Sequence, residues 1–212
     1  MKELGILGAG AQAYEAVEFA EDAGFKPIFF ALDSSHFRND SLLQQIDIND
    51  APEELLKIEI ISAVGPPALK RELVEKWAGN NYGQIISKSA WISRYVVVEE
   101  GIIIAPECAI SRSVHIGRFV LINLGVTISH DTVVGQYSTI SPGVHIGGRV
   151  KVGDGVFVGI GANIKNDVKI ASGVVIGAGA TVIEDLEDEN AVYVGTPAKK
   201  VKNNDDWLRE IE

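Results

Sequence analysis

Every sixth residue from Ile86 to Val182 is isoleucine or valine: Ile86, Ile92, Val98, Ile104, Ile110, Ile116, Ile122, Ile128, Val134, Ile140, Ile146, Val152, Val158, Ile164, Ile170, Ile176 and Val182. Seventeen consecutive positions hold this register without a break. A period of six matches neither the 3.6-residue turn of a helix nor the two-residue alternation of a long strand. It is the period of a parallel β-helix built from hexapeptide repeats. Each hexad supplies one short strand and a turn, three hexads close a triangular coil, and the run gives between five and six coils. Successive coils hydrogen-bond strand to strand about 4.8 Å apart, with the Ile and Val side chains stacked as internal ladders. Small or β-branched residues two positions earlier, at Ala90, Cys108, Val114, Thr132, Ser138, Ala162 and Ala180, let the walls meet at the corners. Glycine follows the ladder residue directly at Gly117, Gly135, Gly147, Gly153, Gly159 and Gly177. Cys108, the single cysteine, excludes an intramolecular disulfide and falls at an inward small position, which predicts a buried structural thiol.

The residues before this repeat follow a different rule. "LGILGA" is an apolar strand run, "QAYEAVEFAEDAG" has helical spacing ending at Gly24, and "KPIFFALD" is a second strand ending at Asp33. "EELLKIEIISAVG" carries a short helical piece and a third strand, and "PPALKRELVEKWAG" starts with prolines suited to a first helical turn and runs to Gly79. Alternating strand and helix makes a small Rossmann-like parallel α/β unit. Gly8, Gly10 and Ala13 fit the dinucleotide fingerprint G-x-G-x-x-G/A. Only half of a six-strand dinucleotide domain is present, however, which argues against NAD. The expected division is an α/β domain over 1–83, the β-helix over 84–183 and a C-terminal extension over 184–212.

A formal net charge of −10 argues against general nucleic-acid binding. No apolar run reaches the ~18 residues of a membrane helix. "LGILGAGAQA" leads straight into acidic "YEAVEFAEDAG" without a signal-peptide context, so a cytoplasmic location is expected. Against this acidic background "PAKKVK" stands out, and its Lys199, Lys200 and Lys202 read equally as a solvated tail or as phosphate partners.

One residue on the β-helix carries chemistry. His130 lies two positions past the inward Ile128, so its side chain leaves a corner and faces outward. Eighteen residues on, the stacked position is Gly148; eighteen back, it is Arg112. The missing side chain at Gly148 is expected to leave room and a free backbone N–H beside the imidazole, a candidate oxyanion donor. Asp131 is the natural partner to orient the ring, but it stacks on Arg149, and an ion pair there would compete for its carboxylate.

The α/β domain, the stretch "INLGVTISHDTVVGQYSTISPGVHIGGRVKVGDGVFVGIGANI" and the ending "YVGTPAKKV" together resemble the NeuD/PglD group of sugar acetyltransferases, hexapeptide-repeat enzymes with a left-handed parallel β-helix. That resemblance implies a homotrimer with sites between subunits, acetyl-CoA as co-substrate and a role in glycan biosynthesis. It implies N-acetylation of the 4-amino group of a nucleotide-linked sugar, with O-acetylation of a sialic acid or another glycan sugar as the alternative. Catalytic roles map onto His130 as general base and Asp131 as its partner. The resemblance places the nucleotide-sugar acceptor at Gly8, Gly10, Ala11, Gln12, Asp33, Gly65 and Pro66, and acetyl-CoA at Gly148, Ile160, Ala178, Lys199 and Lys200, with the C-terminal extension over 184–212 contributing to the CoA groove. The chain departs from the group at Ala11 and Gln12, where Gly-His is usual, at Ala178, where glycine is frequent, and at Thr139, where relatives frequently carry a second histidine.

Two other classes of function stay open on the sequence. The same solenoid hosts γ-class carbonic anhydrases, and His115, His130 and His145 are spaced by fifteen, although fifteen does not match the eighteen-residue coil and no metal is expected. A non-catalytic binding solenoid is the third class, since fold alone does not fix function.

Overall fold

The computed structural model describes residues 1–210. Six elements build the N-terminal unit: β1 (Lys2–Leu7), α1 (Ala11–Ala23), β2 (Phe25–Leu32), β3 (Gln44–Asp47), β4 (Glu59–Ser62) and α2 (Pro67–Lys76). The four strands form a parallel sheet in the order β3-β2-β1-β4. β3 is an addition to the sequence reading, because "QQID" offers one buried apolar residue, Ile46, and no alternation. α1 stops at Gly24, which adopts the left-handed conformation (φ 96°) and returns its N–H to the carbonyls of Ala20 and Glu21. α2 ends at Lys76 rather than near Gly79. Trp77 turns to extended backbone and buries its ring against Phe29, centroids 6.0 Å apart, so a tertiary contact ends the helix earlier than its pattern does.

Seventeen two-residue strands follow, from β5 (Ile85–Ile86) to β21 (Thr181–Val182), all paired in parallel. They close a three-sided solenoid. The first face carries Ile85–Ile86, Ile103–Ile104, Leu121–Ile122, Thr139–Ile140, Phe157–Val158 and Val175–Ile176. The second runs from Trp91–Ile92 through Thr127–Ile128 to Thr181–Val182, and the third from Val97–Val98 through Val133–Val134 to Lys169–Ile170. Pairing partners lie eighteen residues apart, as in Ile104↔Ile122↔Ile140. The ladder residues and the small residues two places before them form one continuous interior. The glycines after the ladder residues serve close approach of coils: a Cβ on Gly135 would lie 2.5 Å from the Gly153 carbonyl, and one on Gly159 would lie 2.7 Å from the Ala178 nitrogen. Cys108 is buried as expected, its Sγ 3.1 Å from the Asn123 carbonyl, and burial pushes the thiol up to about 11.

β22 (Ala191–Val194) extends the first face by pairing in parallel with Val175–Ile176, and β23 (Lys199–Asn203) folds back antiparallel. Residues 204–210 then cross to α2, where the Leu208 carbonyl accepts from the Ala68 N–H at 3.1 Å. Arg71 pairs with Asp206 at 2.7 Å, and Arg209 pairs with Glu72 at 2.6 Å.

The first face also docks the α/β unit. Its outward residues Ile85, Ile103 and Leu121 are buried in one cluster with Leu4, Ile6 and Phe30 and with Ala13, Ala16 and Val17 of α1. Lys70 of α2 inserts fully buried and donates to the Tyr137 carbonyl, the Ser138 carbonyl and Thr139 Oγ1 at 3.3, 3.1 and 2.8 Å. Thr139 Oγ1 passes the connection on to the Gly65 carbonyl at 2.6 Å. Among the described residues no carboxylate pairs with the amine, and burial lowers its pKa to about 7.

Candidate active site

The turn between the second and third faces forms an edge of the prism, and His130 stands on it. Asp131 takes the left-handed corner conformation there (φ 60°), as does every sixth residue from Gly101 to Gly179. Aspartate tolerates this backbone better than most side chains. The corner turns both side chains outward, and His130 Nδ1 lies 2.7 Å from Asp131 Oδ2. Arg149 makes no direct ion pair with Asp131 among the described residues. It forms a bidentate pair with Asp167, Nε to Oδ1 at 2.6 Å and Nη2 to Oδ2 at 2.9 Å, so the expected competition for Asp131 is absent. With Nδ1 facing a carboxylate, the proton belongs on Nδ1 and the free lone pair on Nε2.

Gly148 corrects a second expectation. It is buried beneath the imidazole, and a Cβ there would lie 2.9 Å from His130 Cε1 and Nε2, so the ring itself fills the room expected for a thioester. The Gly148 N–H donates to Asn166 Oδ1 at 3.0 Å and is not a free oxyanion donor. Asn166, exposed on the next coil, escapes the sequence reading because nothing in its local pattern marks it.

The acceptor residues converge. Gly8, Gly10, Ala11, Gln12, Asp33, Gly65 and Pro66 all line one cavity of about 710 Å³ at the strand ends of the α/β sheet. Gly8 has φ 98°, which lets the chain turn from β1 toward α1. Gly10 is different: a Cβ there would meet nothing within 4 Å, so its missing side chain opens the cavity. It caps α1 without any side-chain hydrogen bond, leaving the helix N-terminus directed at the cavity. Asp33 Oδ1 accepts from the Ser35 hydroxyl and backbone N–H at 2.6 and 3.0 Å, and these bonds hold its carboxyl below the usual range. Its Oδ2 accepts from Asn49 Nδ2 at 3.5 Å.

The residues mapped for acetyl-CoA do not share one place. Ile160 and Ala178 project from the edge between the first and second faces, beside a groove of about 1010 Å³ that Gln12, Gly65, Asn123, Thr139 and Trp207 also line. Gly148 belongs to the His130 edge, on the far side of the second face. Lys199 and Lys200 lie outside that groove, paired with Glu184 at 2.7 Å and Asp188 at 3.0 Å. The groove and the acceptor cavity meet at Gln12 and Gly65, and Asn123 Nδ2 donates to Gln12 Oε1 across the junction at 3.0 Å. The 204–210 segment, part of the C-terminal extension expected to contribute to a groove, walls the groove and, through Arg209 and Glu210, the acceptor cavity as well.

The remaining histidines sit apart. His115 Nε2 contacts Glu99 Oε1 at 2.7 Å on the third face, and His145 Nδ1 contacts Thr127 Oγ1 at 2.8 Å on the second. Among the described residues no group of three or more His, Cys, Asp or Glu side chains is placed to hold a metal ion.

Fold and site describe a three-sided parallel β-solenoid of hexapeptide repeats that carries a small α/β domain with its own cavity. Residues 149–184 match the family model for the bacterial transferase hexapeptide (six repeats). Similar solved structures include acetyltransferases. The acetyltransferase domain of PglB from Neisseria gonorrhoeae, in complex with acetyl coenzyme A, superposes with a TM-score of 0.84 at 26% identity, over 94% of this chain and 99% of that one. A variant of GDP-perosamine N-acetyl transferase from Caulobacter crescentus, in complex with CoA and GDP-perosamine, gives 0.83 at 24% identity over 96% and 98%. WeeI from Acinetobacter baumannii gives 0.79 at 23% identity over 95% and 100%. No curated protein sequence matches the chain. The chain thus shares the fold of these acetyltransferases along nearly its whole length. No helix among the described residues is long and apolar enough to cross a membrane.

Proposed function

We propose that the protein transfers an acetyl group from acetyl-CoA to the 4-amino group of a nucleotide-linked amino sugar. The observation that carries this reading is the His130–Asp131 contact. Asp131 oriented on Nδ1 leaves Nε2 as a base on an open edge. The amine nitrogen attacks the thioester carbonyl carbon while Nε2 takes its proton. The C–S bond then breaks, and the CoA sulfur leaves, collecting the proton from the imidazolium. Asp131 holds the ring and offsets its charge while it is protonated. The nucleotide occupies the α/β cavity, with phosphate toward the helix terminus at Gly10 and a hydroxyl toward Asp33.

Within one chain the second face separates the His130 edge from the acceptor cavity and the Ile160–Ala178 edge. The reading therefore includes assembly of three copies, each bringing its cavity to a neighbour's histidine. The test is CoA release against UDP-, dTDP- and GDP-linked 4-amino sugars, with His130→Ala beside the wild type. The variant is expected to lose more than ~10² in rate with its fold intact, and a near-normal rate refutes the base assignment. Acid- and base-stability of the product separates amide from ester.

A further inference from the structure

The edge that carries His130 holds a column of stacked residues at eighteen-residue spacing: Arg94, Arg112, His130, Gly148 and Asn166. The Trp91↔Ala109 and Thr127↔Ala109 pairings fix this register, and the Asp131 N–H to the Arg112 carbonyl, at 3.0 Å, confirms it beside the histidine. The column is polarised. On the C-terminal side of the imidazole stands glycine; on the N-terminal side stand two arginines.

These arginines differ from the others in the chain. Of seven, Arg38, Arg71, Arg118, Arg149 and Arg209 each pair with a carboxylate. Arg94 and Arg112 have no such partner among the described residues, although the protein carries a net charge of −10. Instead both guanidinium groups lie over the Tyr95 ring, 4.8 and 4.3 Å from its centroid, and Arg94 Nη2 bonds to Tyr95 Oη at 2.7 Å. Two exposed, uncompensated guanidinium groups held on one aromatic ring form a preorganised anion site.

Spacing selects the anion. Coils rise about 4.8 Å, so the Arg112 and Arg94 positions stand roughly 5 and 10 Å from that of the base. Across a hexose, from a 4-amino nitrogen to the phosphorus on C1, the distance is ~6 to 7 Å, and the second phosphorus follows at about 9 Å, by ordinary bond lengths. The pyrophosphate of CoA lies beyond about a dozen bonds from its sulfur, ~15 Å when extended, and overshoots both arginines. We propose that Arg94, Tyr95 and Arg112 form a diphosphate clamp for the acceptor, contributed by the same copy as His130, which draws the sugar's amine onto Nε2 while the nucleoside sits in a neighbouring copy's cavity. The clamp makes the nucleoside diphosphate, rather than the sugar alone, the recognised handle. It rests on the acetyl-transfer reading above.

The test compares wild type, Arg112→Gln, Arg94→Gln, the double variant and Arg112→Lys. Each is assayed with the nucleotide-linked amino sugar and with the methyl glycoside of the same sugar. Each single Gln variant is expected to raise KM for the nucleotide-linked acceptor about tenfold and the double about a hundredfold. Arg112→Lys is expected to recover part of the loss. KM for acetyl-CoA, saturated kcat and turnover of the methyl glycoside stay within about threefold of wild type. Equal losses on both acceptors, a raised KM for acetyl-CoA, or trimer dissociation in sedimentation overturns the clamp, the last assigning the arginines to contacts between copies. Calorimetry with UDP, GDP and dTDP separates the two readings. If no amino sugar is acetylated, the acetyl-transfer reading fails by itself, whereas undiminished nucleoside diphosphate affinity in the double variant refutes the clamp.

Discussion

Gly148→Ala probes the site at its tightest contact. A methyl group added at Gly148 would stand 2.9 Å from both Cε1 and Nε2 of His130, closer than carbon and nitrogen atoms tolerate. The backbone there does not need glycine, since Gly148 is absent from the residues with positive φ. The neighbour that must yield is a side chain on an open edge, so the imidazole swings away and the coil stays intact. Swinging breaks the 2.7 Å contact from Nδ1 to Asp131 Oδ2. A hydrogen bond to a charged group contributes about 1.5 to 3 kcal/mol. With the two side chains 49% and 56% exposed, water replaces part of it, and the lower figure applies. About 1.5 kcal/mol corresponds to roughly tenfold in kcat, and a displacement of Nε2 near 1 Å raises the loss toward 10². The assay is steady-state CoA release, with thermal melting as the control for folding, where a shift of no more than ~2 °C is expected for a strain this local. The companion measurement is the double variant with Asp131→Asn: both changes remove the same oriented ring, so their losses should not add. A kcat within twofold of wild type, or additive losses in the double variant, refutes the placement of the base.

Other consequences follow from the same contacts. Asp131→Asn keeps a residue that tolerates the left-handed corner (φ 60°), so the fold should persist while kcat falls about tenfold. Gly10→Ala adds a methyl where nothing lies within 4 Å, so melting should barely change while KM for the nucleotide-linked acceptor rises; an unchanged KM would remove Gly10 from the cavity wall in use. Gly135→Ala forces a Cβ to within 2.5 Å of the Gly153 backbone, and overpacking of about 1 to 3 kcal/mol should lower Tm by roughly 2 to 10 °C. Lys70 has an ordinary pKa of 10.5, lowered to about 7 by burial, so the unfolded chain binds more protons between these values. Wild-type stability should therefore rise with pH across that window, by a few kcal/mol at most because three oxygens hold the protonated amine in place. Lys70→Met should lack this rise in denaturant titrations from pH 6 to 10, and parallel profiles for the two proteins would show that Lys70 stays charged.

The solenoid was legible from sequence because its cause is local. Each hexad repeats the same inward Ile or Val, seventeen times in one register, and many add a small corner residue or a glycine where coils close. His130 was legible for the same reason: its offset from Ile128 sets the direction of its side chain. A further periodic signal lay within reach, the outward apolar residues Ile85, Ile103, Leu121, Phe157 and Val175 on every third hexad, which mark the face that the α/β unit and the C-terminal strand cover. What sequence could not supply were pairings decided between coils and between units. Arg149 chose Asp167 over Asp131, and the Gly148 N–H went to Asn166, because competing partners on stacked turns differ only in tertiary geometry. The α2 boundary at Trp77, the anchoring of Lys70 and the placement of residues 204–210 against both cavities likewise depend on what the folded chain brings near. Periodicity determines which way a side chain points; only the assembled coils determine what it meets.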